Sequence, residues 1–110
     1  MASVELPKII SELQTLWNEH LSEPFPANDS ETDDVEGVDL HELDTYIAGC
    51  VSTFIGAGDL DIGRTAILGL CYRDALVAQS VFTGDERRYS ARLEQLAELV
   101  LKAVVLKNKI

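Results

Sequence analysis

The chain has 110 residues, 46% of them hydrophobic and 25% charged, with a formal charge of −10; this is enough for one domain, residues 1–110, with a packed core, and it excludes global disorder. The charge is uneven, with fourteen acidic side chains against Lys8 alone up to Asp61 and five against eight basic ones after it. So acidic a surface repels phosphates and excludes generic nucleic-acid binding, while it attracts basic protein partners.

The opening Met1-Ala2-Ser3-Val4-Glu5-Leu6-Pro7 has neither the basic region nor the apolar run of a secretory signal. No later stretch approaches the roughly 18 apolar residues of a membrane span, so the expectation is a cytoplasmic protein without a membrane partner. From Val4 to Leu21 the apolar residues Leu6, Ile9, Ile10, Leu13, Leu16, Trp17 and Leu21 recur every three or four positions, which predicts an amphipathic helix. Ser3 is placed to cap it, Pro7 falls near its first turn, and Pro24 and Pro26 end it.

Residues 24–38 hold turn formers and acids, no basic residue and no periodicity, which predicts a long mobile loop whose Asp29, Glu31, Asp33, Asp34 and Glu36 form an acidic surface. Asp29, Glu31 and Asp33 alternate like the first ligands of an EF-hand. Position six is Asp34 instead of glycine and position twelve is Leu40 instead of glutamate, so calcium binding no tighter than millimolar is expected.

A second helix starts at a capping box, Asp39 with Glu42, with Val38 positioned to staple onto Leu43. Leu40, Leu43, Tyr46, Ile47, Cys50, Val51, Phe54 and Ile55 form its apolar face. Thr45, Gly49, Thr53 and Ala57 form a line of small residues that would admit another helix, and Gly56-Ala57-Gly58 stops the helix. Asp59-Leu60-Asp61 then caps a third helix, residues 62–82, and Thr83-Gly84-Asp85 leads into a fourth, residues 86–107, with an inward stripe of Tyr89, Leu93, Leu96, Val100, Ala103 and Val104. The fold expected is all-α: a four-helix antiparallel bundle with a long acidic loop between helices 1 and 2.

A small acidic four-helix domain resembles the acyl carrier proteins, whose cofactor is carried on the serine of an Asp-Ser-Leu motif opening the second helix. Here that start reads Asp39-Leu40-His41, so the attachment chemistry is missing and no cofactor is implied. Bacterial immunity proteins, which include acidic helical bundles, offer a functional analogy without a motif match.

The remaining polar residues give no catalytic pattern. Cys50 and Cys71 lie inside apolar helical segments, away from any histidine in register, and read as buried thiols. His20 and His41 belong to no zinc motif and read as surface polar residues, with His41 and Asp44 three apart on one helix but short of a ligand set, so no metal site is expected. Arg73 and Asp74 sit within an otherwise apolar helix, either at the edge of its packed surface or in an interface or pocket. Leu101 and Val105 point away from the stripe of helix four.

These features predict a homodimer whose interface uses Arg73, Asp74, Leu101 and Val105. The function expected is a non-catalytic interaction domain, a regulator, adaptor or immunity-type inhibitor, presenting its acidic surface to a basic protein. The alternative is a small-molecule or metal-binding bundle, even an enzyme, with a pocket between helices that includes His41, Tyr72, Arg73 or Asp74.

Overall fold

The computed structural model describes residues 2–26, 34–35 and 38–109. Four helices carry the fold: α1 (Ala2–Ser22), α2 (Leu40–Ala57), α3 (Ile62–Val81) and α4 (Gly84–Asn108). Between α1 and α2 lie two short strands, β1 (Asp34–Val35) and β2 (Val38–Asp39), paired antiparallel with Asp34 opposite Asp39 and Val35 opposite Val38. None of the described helices is long and apolar enough to cross a membrane.

The boundaries follow local chemistry. The Asp39 carboxylate accepts from the backbone amides of His41 and Glu42 at 3.0 and 3.2 Å, satisfying donors that the first turn of α2 leaves open. At the other end Gly58 takes a left-handed conformation, φ +76°, and its amide donates to the Phe54 carbonyl at 2.7 Å. Asp61 caps α3 by accepting from the Arg64 amide at 2.8 Å. The turn into α4 is made by Gly84, φ +60°, while Thr83, the cap position, makes no side-chain cap bond.

Two local expectations change. Ser3 lies inside α1, which already begins at Ala2, so it is not the cap; Pro7 sits one turn further in, where its missing N–H leaves the Ser3 carbonyl without its helical donor. The segment read as loop up to Val38 contains the two-residue ladder. Its signal is Val35-Glu36-Gly37-Val38, β-branched residues flanking a two-residue link with glycine second, a hairpin-compatible sequence. The expected mobility of residues 27–37 otherwise falls outside the described residues.

Helix α4 is the axis of the packing and touches each of the other three helices. Every residue of its expected stripe, Tyr89, Leu93, Leu96, Val100, Ala103 and Val104, is buried. They meet Leu40, Ile47 and Val51 of α2, Leu68, Ala75 and Ala78 of α3, and Leu13, the one fully buried apolar side chain among the described side chains of α1. Helix α1 packs almost wholly on α4: its last turns lie against the first turns of α4, where His20 meets Tyr89 and Arg92, and its earlier residues Lys8 and Ile9 lie near Leu101 and Val105.

The small-residue line on α2 does not receive a helix of this chain. A side chain built at Gly49 would meet nothing within 4 Å, and Thr45, Gly49 and Ala57 are exposed. The buried row of α2, Leu43, Ile47, Cys50 and Phe54, lies to one side of that line.

Candidate functional site

A buried polar node joins three helices. His20, in the last turn of α1, is buried, and its Nε2 lies 2.9 Å from the Asp44 Oδ1 of α2. Its Nδ1 accepts from the Arg92 Nε of α4 at 2.9 Å. With Nδ1 accepting from a guanidinium, the Nε2 proton points at the Asp44 carboxylate, so the two partners together orient the ring. The Tyr89 hydroxyl lies 3.4 Å from the same Nε2. Burial first, then the adjacent Asp44 carboxylate, pushes the Tyr89 phenol well above its ordinary range, so it stays protonated.

The Arg92 guanidinium completes the node. It stands 5.0 Å over the Tyr89 ring and donates from Nη1 to the Glu23 carboxylate at 3.1 Å. Its Nη2 is buried with no hydrogen-bond partner among the described residues. Aromatic rings enclose the group: Trp17 stacks on His20 at 5.8 Å between centroids, and Phe25 stacks on His41 at 3.8 Å while meeting Tyr89 edge-on at 5.0 Å. With a carboxylate on one ring nitrogen and a guanidinium on the other, His20 has no lone pair to offer a substrate proton. The node works as a clasp that ties the end of α1 to α2 and α4.

His20 is the polar residue whose surface placement the structure corrects. It continues the row Leu13, Leu16 and Trp17 at helical spacing, and that row faces α4. His41, by contrast, is exposed in its stack with Phe25. Among the described residues no three His, Cys, Asp or Glu side chains stand close enough to hold a metal ion.

Of the open grooves among the described residues, two that lie away from the node hold the residues singled out from the sequence. One, between α1, α3 and α4, has a volume of about 680 Å³ and is lined by Ile9, Tyr72, Leu101 and Val105 with Lys8, Glu98 and Lys102 at its edges. The Tyr72 hydroxyl donates to Glu98 Oε2 at 3.4 Å, and Lys102 pairs with Glu98 at 2.9 Å. The Lys102 bond holds the Glu98 carboxyl below its ordinary range. The second groove, between α2 and α3, has about 220 Å³ and is lined by Leu43, Tyr46, Ile67, Leu70 and Cys71 under the carboxylates of Asp39, Glu42 and Asp74. Burial, then the neighbouring Cys50, Asp74 and Glu42, pushes the Cys71 thiol up to about 11.

The four residues expected to share an interface are therefore divided. Leu101 and Val105 line the first groove, which α1 partly covers, Asp74 lines the second, and Arg73 is exposed on α3. The expected pocket residues do not converge either, since Tyr72 faces Glu98, Asp74 faces the α2–α3 groove and His41 stacks on Phe25. Of the expected acidic surface, Asp29, Glu31, Asp33 and Glu36 lie outside the described residues, and Asp34 is placed by its backbone pairing with Asp39. No protein-family model, curated protein or solved structure matches this chain.

Proposed function

We propose that this chain is a non-catalytic protein-interaction module, an antiparallel four-helix bundle of the cytoplasm, that offers an acidic and partly apolar surface to a basic protein. The observation that carries this reading is the face formed by α2 and α3. Tyr46, Ile67 and Leu70 remain 50%, 44% and 56% exposed there, beside Asp39, Glu42 and Asp74, and Val77, one turn further along α3 from Asp74, is 38% exposed. A contiguous apolar surface rimmed by polar groups is the signature of an interaction site. The chain's net charge of −10 gives that surface a preference in sign, and Asp29, Glu31, Asp33, Asp34 and Glu36 add to it.

Self-association through α3 and the end of α4 is the less favoured form of this reading. One two-fold contact would have to include Asp74 and Leu101, which line different grooves. The small-molecule reading has one observation in its favour, the larger groove, whose 680 Å³ falls within the range of about 300–1,000 Å³ usual for ligand sites. Its open form and mixed lining charges give it no convergent polar group comparable with the carboxylate rim of the α2–α3 face.

The test is a photo-reactive amino acid in place of Leu70, introduced in the cells that make the protein. A discrete protein adduct that weakens with added salt is expected. Failure to capture any protein from Leu70, Lys8 or Val105, together with a substrate turnover that disappears in Tyr72→Phe, would replace the interaction reading with the small-molecule one.

A further inference from the structure

The outer surface of α3 has a regular pattern. Ile67, Leu70, Asp74 and Val77 follow one another at intervals of three, four and three, the spacing of alternate a and d positions in a heptad seam. None of them is among the buried residues of α3, which sit on the row Leu68, Cys71, Ala75 and Ala78. On α2 a second row, Glu42, Tyr46, Gly49 and Thr53, repeats at four, three and four, and the space over Gly49 is empty within 4 Å. Glu42 and Tyr46 of this row line one groove with Ile67, Leu70 and Asp74 of α3, and Gly49, Thr53 and Val77 continue the two rows beyond its lining residues. Its 220 Å³ is below the usual size of a small-molecule site but is suited to one or two anchoring side chains of a larger partner.

Charge decides what that partner is. Asp39, Glu42 and Asp74 line the groove and no basic residue does. A two-fold pairing of this chain along the seam would bring two such carboxylate sets together and press Asp74 into an apolar contact without a counter-charge, which is costly. A lysine or arginine opposite Asp74 removes that cost and fixes the register, as a single polar a position does in coiled coils.

We propose that the α2–α3 groove seats an amphipathic helix of a partner protein, with apolar residues in heptad spacing against Ile67, Leu70 and Val77 and a basic residue against Asp74. This inference rests on the interaction reading and adds to it the surface, the secondary structure and the charge of the partner.

The probe is a synthetic amphipathic helix about three heptads long with isoleucine and leucine in the a and d positions, one central a-position lysine and lysines on its flanks. Controls are the same peptide with glutamate for every lysine, and one of equal composition with the periodicity scrambled. Titration against the full chain should show saturable binding of the first peptide alone. Gly49→Leu fills the α2 row where the fold leaves space, so it should weaken binding roughly tenfold or more while leaving the helical circular dichroism unchanged.

Asp74→Lys should weaken binding roughly thirtyfold and transfer the preference to the glutamate peptide. Equal binding of the scrambled peptide, or a cationic preference that survives Asp74→Lys in a folded chain, overturns the proposal. So does a dimer in light scattering that Leu70→Glu dissociates, since the groove would then belong to a second copy. A protein captured by a photo-reactive residue at Val105 but never at Leu70 also overturns the groove and leaves the interaction reading standing. Capture at neither site, with no peptide bound, removes both.

Discussion

The clasp around His20 and the outer face of α3 treat polarity in opposite ways. At the clasp, histidine, arginine, tyrosine and aspartate are taken into the packing and bonded to one another. On α3, leucine, isoleucine and valine are left outside beside carboxylates. The difference teaches where each part of the molecule is finished. A buried polar group is costly without a partner, and His20 has one on each ring nitrogen, so these bonds favour one arrangement of α1, α2 and α4, although Arg92 Nη2 has no partner among the described residues. An exposed apolar row costs the folded chain little and is completed by something outside it.

The largest effect separating the two regions comes from the clasp. In His20→Ala the Arg92 Nε and the Asp44 carboxylate both lose their buried partner. Breaking such a group from one side costs about 3 kcal/mol, which lowers the midpoint of thermal unfolding by roughly 10 °C or more in a chain of this size. A double-mutant cycle with Arg92→Met should show a coupling of about 1 kcal/mol or more. A loss below about 1 kcal/mol in His20→Ala would mean that water completes the node and that the contrast with the α3 face is one of degree.

An intermediate effect comes from the floor of the groove. Cys71 is buried, and its thiol is raised from 9.0 to about 11 in the folded chain. The unfolded chain gives up this proton near the ordinary value, so between about pH 9 and 11 it binds fewer protons than the folded chain. Stability must therefore fall as pH rises through that window, by up to about 2 kcal/mol, and be unaffected below it. The Tyr89 phenol, also raised, adds a loss in the same direction at higher pH. Denaturant midpoints from pH 8 to 11 should show the decline, and Cys71→Ala should flatten its first part. An unchanged slope in Cys71→Ala would mean that the thiol is solvated and that the groove opens deeper than its floor.

How far these regions could be read from the sequence depended on the reach of the chemistry. Asp39, Asp61 and Gly58 act on residues within a turn of themselves, so both edges of α2 and the start of α3 were legible. The α4 stripe was legible because one helix's period fixes which residues share a face. His20 was misplaced because its burial is decided by partners 24 and 72 positions away, Asp44 and Arg92, which no local pattern brings together. The only sequence signal was its place in the row after Leu13, Leu16 and Trp17. Asp74 and Leu101 were grouped as one interface because separate helical periods say nothing of where α1 lies. Its packing on α4 beside Leu101 puts the two residues into different grooves.

The smallest effect is expected on the α3 face, and its smallness is what makes it informative. Leu70 is 56% exposed, so Leu70→Lys gives up only part of a leucine's burial, and the methylene stem of the lysine covers much of the same surface. The new ammonium stands four residues before Asp74, where an ion pair on a helix surface adds a few tenths of a kcal/mol. The two changes offset, and unfolding should shift by no more than about 0.5 kcal/mol. Val105→Glu, 54% exposed in the other groove, should be similarly mild. If Leu70→Lys instead costs as much as His20→Ala, then Leu70 is closed over within the folded chain in solution, and the face is core. If it is neutral while the cationic peptide no longer binds, the apolar row is held outside the fold for another molecule, and Leu70 contributes to recognition without contributing to stability.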